Sequence, residues 1–408
     1  MTAGTTRRGF LRGAATGCLA GAATLVHPRL AFASGRAAPA GDVVVLVSLR
    51  GGLDGLSLLV PYSDDYYHSA RPTTGVPKLS VRRLDDRFGL PPAANPLRKA
   101  WDRGELAFIP ACGLPDPSRS HFVQQSALDR GVVGRHDVTT GWLARHLATA
   151  GGTGSDLRGT AISNNSPPSM LGSPRTLTTV SLTNAAVGST IPAGFATPAH
   201  KEALLRLAGD GPWATSAAEA LAAVRAIQTT EPWRIGAANG ASYDGMWWST
   251  QLRQVAQLIR SGVGLEAAVV ELGGFDVHSG MGAFGAGTQH TLIAQLSNAL
   301  GSFYEDTLDL PVTVVVVSEF GRRVSENASN GTDHGAGGLT MVLGRGASGG
   351  IHGWWPGLAP DALDRGDVQV TTDVRNVLAE VVQLRLRNPA LDVVFPGLQV
   401  APVGAVRG

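Results

Sequence analysis

The sequence predicts an α/β fold with a mainly parallel central sheet flanked by helices. Short continuous apolar runs recur along the chain, the mark of strands buried on both faces of a sheet. Amphipathic helical patterns lie between them. Glycine is abundant, 53 of 408 residues, without a fixed period. That pattern fits many tight turns and close backbone approaches.

The first strand runs from Asp42 to Leu49 and ends at Arg50-Gly51-Gly52. Further strand patterns cover Glu105 to Ala111, Ala267 to Leu272, Val312 to Val317, Leu339 to Leu343 and Val368 to Val370. A helical pattern covers Val123 to Arg130, and another Ser216 to Gln228, with Leu221, Val224 and Ile227 at helical spacing. Trp247 to Ile259 and Thr291 to Leu300 are amphipathic, and Asp373 to Leu384 follows Thr371-Thr372 as an N-cap. Residues 42–398 read as one domain. Within it, 150–212 is rich in Gly, Ser, Thr and Pro and weakly periodic, which predicts a loop-rich insertion or cap. Residues 399–408 read as a C-terminal tail.

Hydrophobic residues are 43% and charged residues 16% of the chain, which excludes disorder for most of it. The net charge of +2 is misleading, because the first 41 residues hold Arg7, Arg8, Arg12, Arg29 and Arg36 and no acid. The remainder has 29 basic against 32 acidic residues, a net of −3, so no nucleic-acid partner is expected. Of the two cysteines, Cys18 lies in the N-terminal segment, so Cys112 has no partner for an internal disulfide.

The N-terminus reads Thr6-Arg7-Arg8-Gly9-Phe10-Leu11-Arg12, followed by a weakly apolar run from Gly13 to Val26. It resembles the twin-arginine export signal, with Arg12 in place of the usual Lys. The run is too short and too rich in Gly and Ala to span a membrane stably. Small-x-small sites at Ala31-Phe32-Ala33 and Ala38-Pro39-Ala40 predict cleavage near Ala33 or Ala40. Residues 1–41 therefore read as signal peptide and linker. The twin-arginine export machinery is the expected partner, membrane contact is expected only during export, and the mature protein is expected in the periplasm or outside the cell.

Polar clusters follow the strands, where open parallel sheets bind ligands. Asp54 in Gly51-Gly52-Leu53-Asp54-Gly55 follows the first strand, pointing over the strand end; taken alone it reads first as an Asp-Gly turn. Ser118, Arg119, Ser120 and His121 follow the second. A Ser there is an ordinary N-cap, or a nucleophile served by the free N–H groups of the helix; His121 is a ligand or a base. Asp276 and His278, flanked by glycines, follow the Ala267 strand. Glu319 and Arg322 follow the Val312 strand, then come Asp333-His334 and the isolated His352. Carboxylate with imidazole suits zinc, manganese or iron rather than calcium.

The segments R-G-G-x-D-G, S-H-F, F-D-x-H, S-E-F-G-R and G-T-D-H-G together resemble the bacterial domain-of-unknown-function-1501 family. So do L-D-D-R-F-G-L, G-W-L-A-R and P-G-L, and the resemblance runs from Asp42 to about Leu398. That family is similar to the alkaline phosphatase superfamily, which includes sulfatases and cofactor-independent phosphoglycerate mutases. The resemblance implies an alkaline-phosphatase-like fold with two divalent metal ions. It implies one centre at Asp54, Asp333 and His334. Asp276 and His278 would form another, completed by His352 or His121. It implies Ser120 as nucleophile, with Arg119 or Arg322 balancing charge on a phosphate or sulfate ester, small or polymeric.

Two departures stand out. Asp276 and His278 are two apart rather than four, and Glu319 occupies a strand end where Asp-His-Gly is usual, so either Glu319 is a ligand or a loop is inserted. Pro115 stands where the modified Cys or Ser of a formylglycine sulfatase would be, which argues against that class. The alternatives are a degenerate member that binds metal or polymer in the envelope without turnover, and a non-catalytic envelope assembly protein, suggested by the Gly-rich loops and Trp354-Trp355.

Overall fold

A computed structural model describes residues 42–183 and 214–408 except 152, 153, 174 and 283, together with 206 and 209. The twin-arginine segment, both cleavage sites and part of the 150–212 stretch lie outside the described residues.

The centre of the fold is β1 (Val43–Leu49), all of whose residues are buried. Alternation along the strand sends Val43, Val45, Val47 and Leu49 to one face and Val44 and Leu46 to the other. Both faces are covered, which is why the run is continuously apolar. Each fully buried Val or Leu contributes about 1.5–3 kcal/mol.

The other strands of the main sheet are β2 (Leu106–Gly113), β3 (Gly159–Ile162), β4 (Thr176–Thr179), β5 (Ala267–Leu272), β6 (Val312–Ser318), β7 (Gly338–Gly344), β8 (Gly350–Ile351) and β9 (Thr372–Asp373). Their order is β8-β2-β7-β6-β1-β5-β3-β4, with β9 beside β2. β1 pairs in parallel with β5 and β6. β7 runs antiparallel to both β6 and β2, so the nine-stranded sheet is mixed. The apolar run at Leu339 identifies a strand but carries no information on its direction.

The helices that matter for the core are α1 (His121–Arg130), α2 (Trp142–Thr149), α3 (Ala214–Thr230), α4 (Trp247–Arg260), α5 (Thr288–Asp306) and α6 (Val374–Glu380). α4 and α5 pack on one face of the sheet through Leu252, Val255, Leu296 and Phe303. α1, α2 and α6 pack on the other through Leu128, Trp142, Val377 and Leu378. Among the described residues no helix is long and apolar enough to cross a membrane.

Local differences from the sequence pattern have local causes. Asp373, not Thr371 or Thr372, caps α6, its side chain accepting from Arg375 N–H. Asp367–Val368 pairs with Leu363–Asp364 in a separate hairpin instead of joining the main sheet. Within 150–183, β3 and β4 extend the main sheet beyond β5. The 399–408 segment is tied down: Glu380 accepts hydrogen bonds from the N–H groups of Val403, Gly404 and Ala405. Cys112 is free and buried, and burial pushes its thiol up to about 12, so it is an inert packing residue.

Candidate metal centre

Topology sets which residues meet. β1, β5 and β6 run in parallel and end on one edge, delivering Gly51, Asp276 and Glu319 there. β2 is antiparallel to β7, which is antiparallel to β6, so β2 also ends on this edge and leads into His121. β7 starts at this edge, so the residues before it bring Asp333 and His334 alongside.

At this edge the Nε2 atoms of three imidazoles converge. His334 Nε2 lies 3.0 Å from His121 Nε2 and 2.9 Å from His278 Nε2. Asp276 completes the group: Oδ1 is 3.1 Å from His334 Nε2 and 3.0 Å from His278 Nε2, and Oδ2 is 3.3 Å from His121 Nε2.

The far nitrogen of each ring faces an oxygen that can only accept. His121 Nδ1 donates to Glu319 Oε1 at 2.7 Å, His278 Nδ1 to Asp333 Oδ1 at 3.1 Å, and His334 Nδ1 to the Arg119 carbonyl at 2.8 Å. Neutral imidazoles held this way carry their protons on Nδ1 and aim lone pairs from Nε2. Three lone pairs and a carboxylate facing one another repel unless a cation sits among them. A proton on His334 Nε2 could serve only one of its three neighbours. A metal about 2.0–2.2 Å from each ligand sets adjacent ligand atoms about 3.0–3.5 Å apart, which these separations match. His121, Asp276 and His334 form one mutual set, and His278 adjoins two of them.

The surroundings fix the donors. Phe320 is buried and its ring stands 4.7 Å from that of His121 and 4.8 Å from that of His334, forming an apolar wall. Glu319 is buried; burial alone would raise its pKa, but hydrogen bonds from Gln125, its own backbone, His121 and Gly51 N–H hold it below the ordinary value. Burial opposes ionisation of Asp276 too, yet the hydrogen bond and the charge of Arg322 bring it down to about 2. The hydrogen bond from His278, then that from Asn327, lowers Asp333. All three carboxylates are therefore anionic at neutral pH. The outer side is open: the side chains of Asp276 and His278 are 46% and 44% exposed. An open flank distinguishes a site that admits a further ligand from a closed structural one.

The structure does not split these residues into two centres as expected. Asp276 and His278 share one cluster with His334, and His121 joins it. Asp333 and Glu319 orient imidazoles instead of facing the cluster centre. Asp54 is elsewhere: it is buried and paired with Arg71, Nη1 to Oδ2 at 2.5 Å and Nη2 to Oδ1 at 3.0 Å, and it accepts from Ser57 Oγ. Arg71 is fully buried and needs a counter-charge, which commits the Asp54 carboxylate to that pair. His352 is also elsewhere. β7 carries the chain to the opposite edge, where His352 N–H donates to Phe108 O near the start of β2 and its ring to Ser348 O.

Arg322 is not free to meet a ligand. It is buried and donates to the carbonyls of Gly51, Gly52, Phe275 and Thr332 and to Asp276 Oδ1 at 2.6 Å. It ties three strand-end loops together and aims Asp276. Arg119 pairs with Asp367 at 2.5 Å. Ser120 occupies the N-cap position of α1, but its hydroxyl makes no capping bond. Gln125, not among the residues expected from sequence, donates to Glu319 Oε1 at 2.7 Å. The signal was present: it lies four residues after His121, on the same helix face.

The family model described as a protein of unknown function, DUF1501, matches residues 109–385, more than half of the chain. The match takes in every residue of the cluster and leaves out Asp54. No curated protein matches the chain. On the extent of that match, which spans both the cluster and most of the sheet behind it, the chain belongs to the DUF1501 family.

Proposed function

We propose that the protein is an exported, metal-dependent hydrolase of a phosphate or sulfate ester. The observation that carries this reading is the convergence of His121, His278 and His334 Nε2 with Asp276 on a solvent-open edge. These four residues would hold the ion, and three imidazoles with one carboxylate suit zinc, iron or manganese. When bound, such an ion polarises an ester oxygen and makes water a better nucleophile at neutral pH. The ester class and an alkaline-phosphatase-like, mainly parallel architecture rest on the motif resemblance. Export rests on the paired arginines at the N-terminus.

Ser120 is the chain's own candidate nucleophile. Its hydroxyl is committed to no capping bond, and it sits between Arg119, whose carbonyl holds His334, and His121. With no capping bond to lose, Ser120→Ala should leave stability nearly unchanged.

Metal analysis of the exported protein, followed by a panel of phosphate and sulfate esters with and without chelator, tests the reading. Stoichiometric metal and chelator-sensitive turnover are expected. His334→Ala should lose both, whereas Ser120→Ala should keep the metal and lose turnover by orders of magnitude. An active protein whose rate survives Ser120→Ala would instead use direct attack by water.

One observation favours a second reading, a member that binds metal without turnover. Asp54, the ligand that a second ion would need, is locked to Arg71. Bound metal with no hydrolysis of any ester in the panel would establish it.

A further inference from the structure

The centre lies beside two arginines that share one carboxylate. Asp367 is fully buried; its Oδ2 accepts from Arg119 Nη2 at 2.5 Å, and its Oδ1 has no hydrogen-bond partner. Arg323 Nε stands 3.8 Å from that Oδ1, too far for a hydrogen bond. The side chains of Arg119 and Arg323 are 30% and 38% exposed. Asp364, the next acid in this loop, is taken by Arg365 at 3.1 Å. Two guanidiniums therefore share one carboxylate.

Both arginines are built into the support of the cluster. The Arg119 carbonyl holds His334 Nδ1. Arg323 N–H donates to the carbonyl of Asp333, whose side chain holds His278. Arg322, by contrast, spends its donors on carbonyls and Asp276. Arg323 is thus a partly exposed guanidinium with uncommitted N–H groups close to the centre.

We propose that Arg323, with Arg119 positioned by Asp367, recognises a tetrahedral oxyanion, the phosphate or sulfate group of the substrate. This rests on the hydrolase reading for the identity of the substrate, but not for the existence of the anion site. A planar guanidinium presents paired N–H groups to two oxygens of such a group. Asp367 keeps the two cations together, so that their N–H groups serve one anion beside the cluster.

Inorganic phosphate and inorganic sulfate are titrated calorimetrically into the purified chain, with metal content measured on each sample. The wild type is expected to bind at least one of the two. Arg323→Ala should weaken that binding by about 10-fold or more, the worth of a charge-assisted bond. Arg323→Lys should fall between, since a point charge attracts but does not present the paired donors. Metal content should be equal in all three. Equal anion affinity in wild type and Arg323→Ala at equal metal content would overturn the assignment, as would a wild type that binds neither anion. A wild type without metal whose anion binding is lost in Arg323→Ala would sink the hydrolase reading and leave this assignment standing.

Discussion

Glu319 illustrates how neighbours set a residue's role. Its Oε1 accepts from His121, Gln125 and Gly51 N–H, so it is committed to holding a ring rather than an ion. Removing such a partner of a ligating imidazole typically lowers metal affinity by about 10–100-fold. Glu319→Gln should therefore bind metal more weakly by that order in a chelator-competition titration, with the fold intact. Wild-type affinity in that variant would show that Glu319 does not orient His121. A second residue, His146, bears on stability. It is buried in α2, where Nδ1 accepts from Asn388 at 3.1 Å and Nε2 has no partner. Burial lowers its pKa from 6.5 to about 4. The unfolded chain thus binds a proton that the folded chain refuses between those values, and stability falls as pH drops through that window. The loss is of order 3 kcal/mol, because each tenfold difference in proton affinity is worth about 1.4 kcal/mol. Urea midpoints of His146→Gln should vary less across this range than those of the wild type; parallel curves would remove the assignment.

At the scale of elements, the site depends on loops that approach one another closely at the strand ends. Gly51 has φ +117°, and a Cβ there would stand 2.5 Å from the Asp276 backbone nitrogen. The loop after β1 can lie against the loop after β5 only because this position has no side chain. Gly51→Ala should destabilise by about 1–3 kcal/mol from backbone strain alone, more if the clash is not relieved. It should also displace Asp276, so metal affinity and the denaturant midpoint should fall together. A drop in stability with unchanged metal affinity would separate the loop contact from the cluster. α1 works as a ruler along the same edge. His121, Gln125 and Asp129 follow at four-residue spacing and reach Asp276, Glu319 and Arg50 in turn.

For the whole molecule, the cluster joins segments far apart in the chain: the loop after β2, the loop after β5 and the β6–β7 connection. A ligand that binds the folded state and not the unfolded one stabilises by about 2.7 kcal/mol at 100 times its dissociation constant. Melting curves should therefore shift upward with zinc, iron or manganese and downward with chelator. The shift should vanish in His334→Ala, whose apo melting temperature should stay near that of the apo wild type. Identical melting of the wild type with and without metal and chelator would argue against a bound ion.

Reading strands from apolar runs succeeded for β1, β5 and β6 because each is buried on both faces, and that burial is written into composition. The same reading singled out Asp276, His278, Asp333 and His334 as polar groups beside glycines after strands, and the fold brings them together at one edge. Direction and counter-charge were not legible. Nothing in Leu339–Leu343 distinguishes a parallel from an antiparallel strand, because burial demands the same side chains of both. Yet the direction of β7 decides that His334 meets the cluster and His352 does not. Asp54 likewise reads as a free carboxylate until the fold buries Arg71 against it. Sequence determines which groups can ionise or ligate and where strands end. Tertiary structure decides which of those groups are spent on one another, because a buried charge must find its partner wherever the chain brings one.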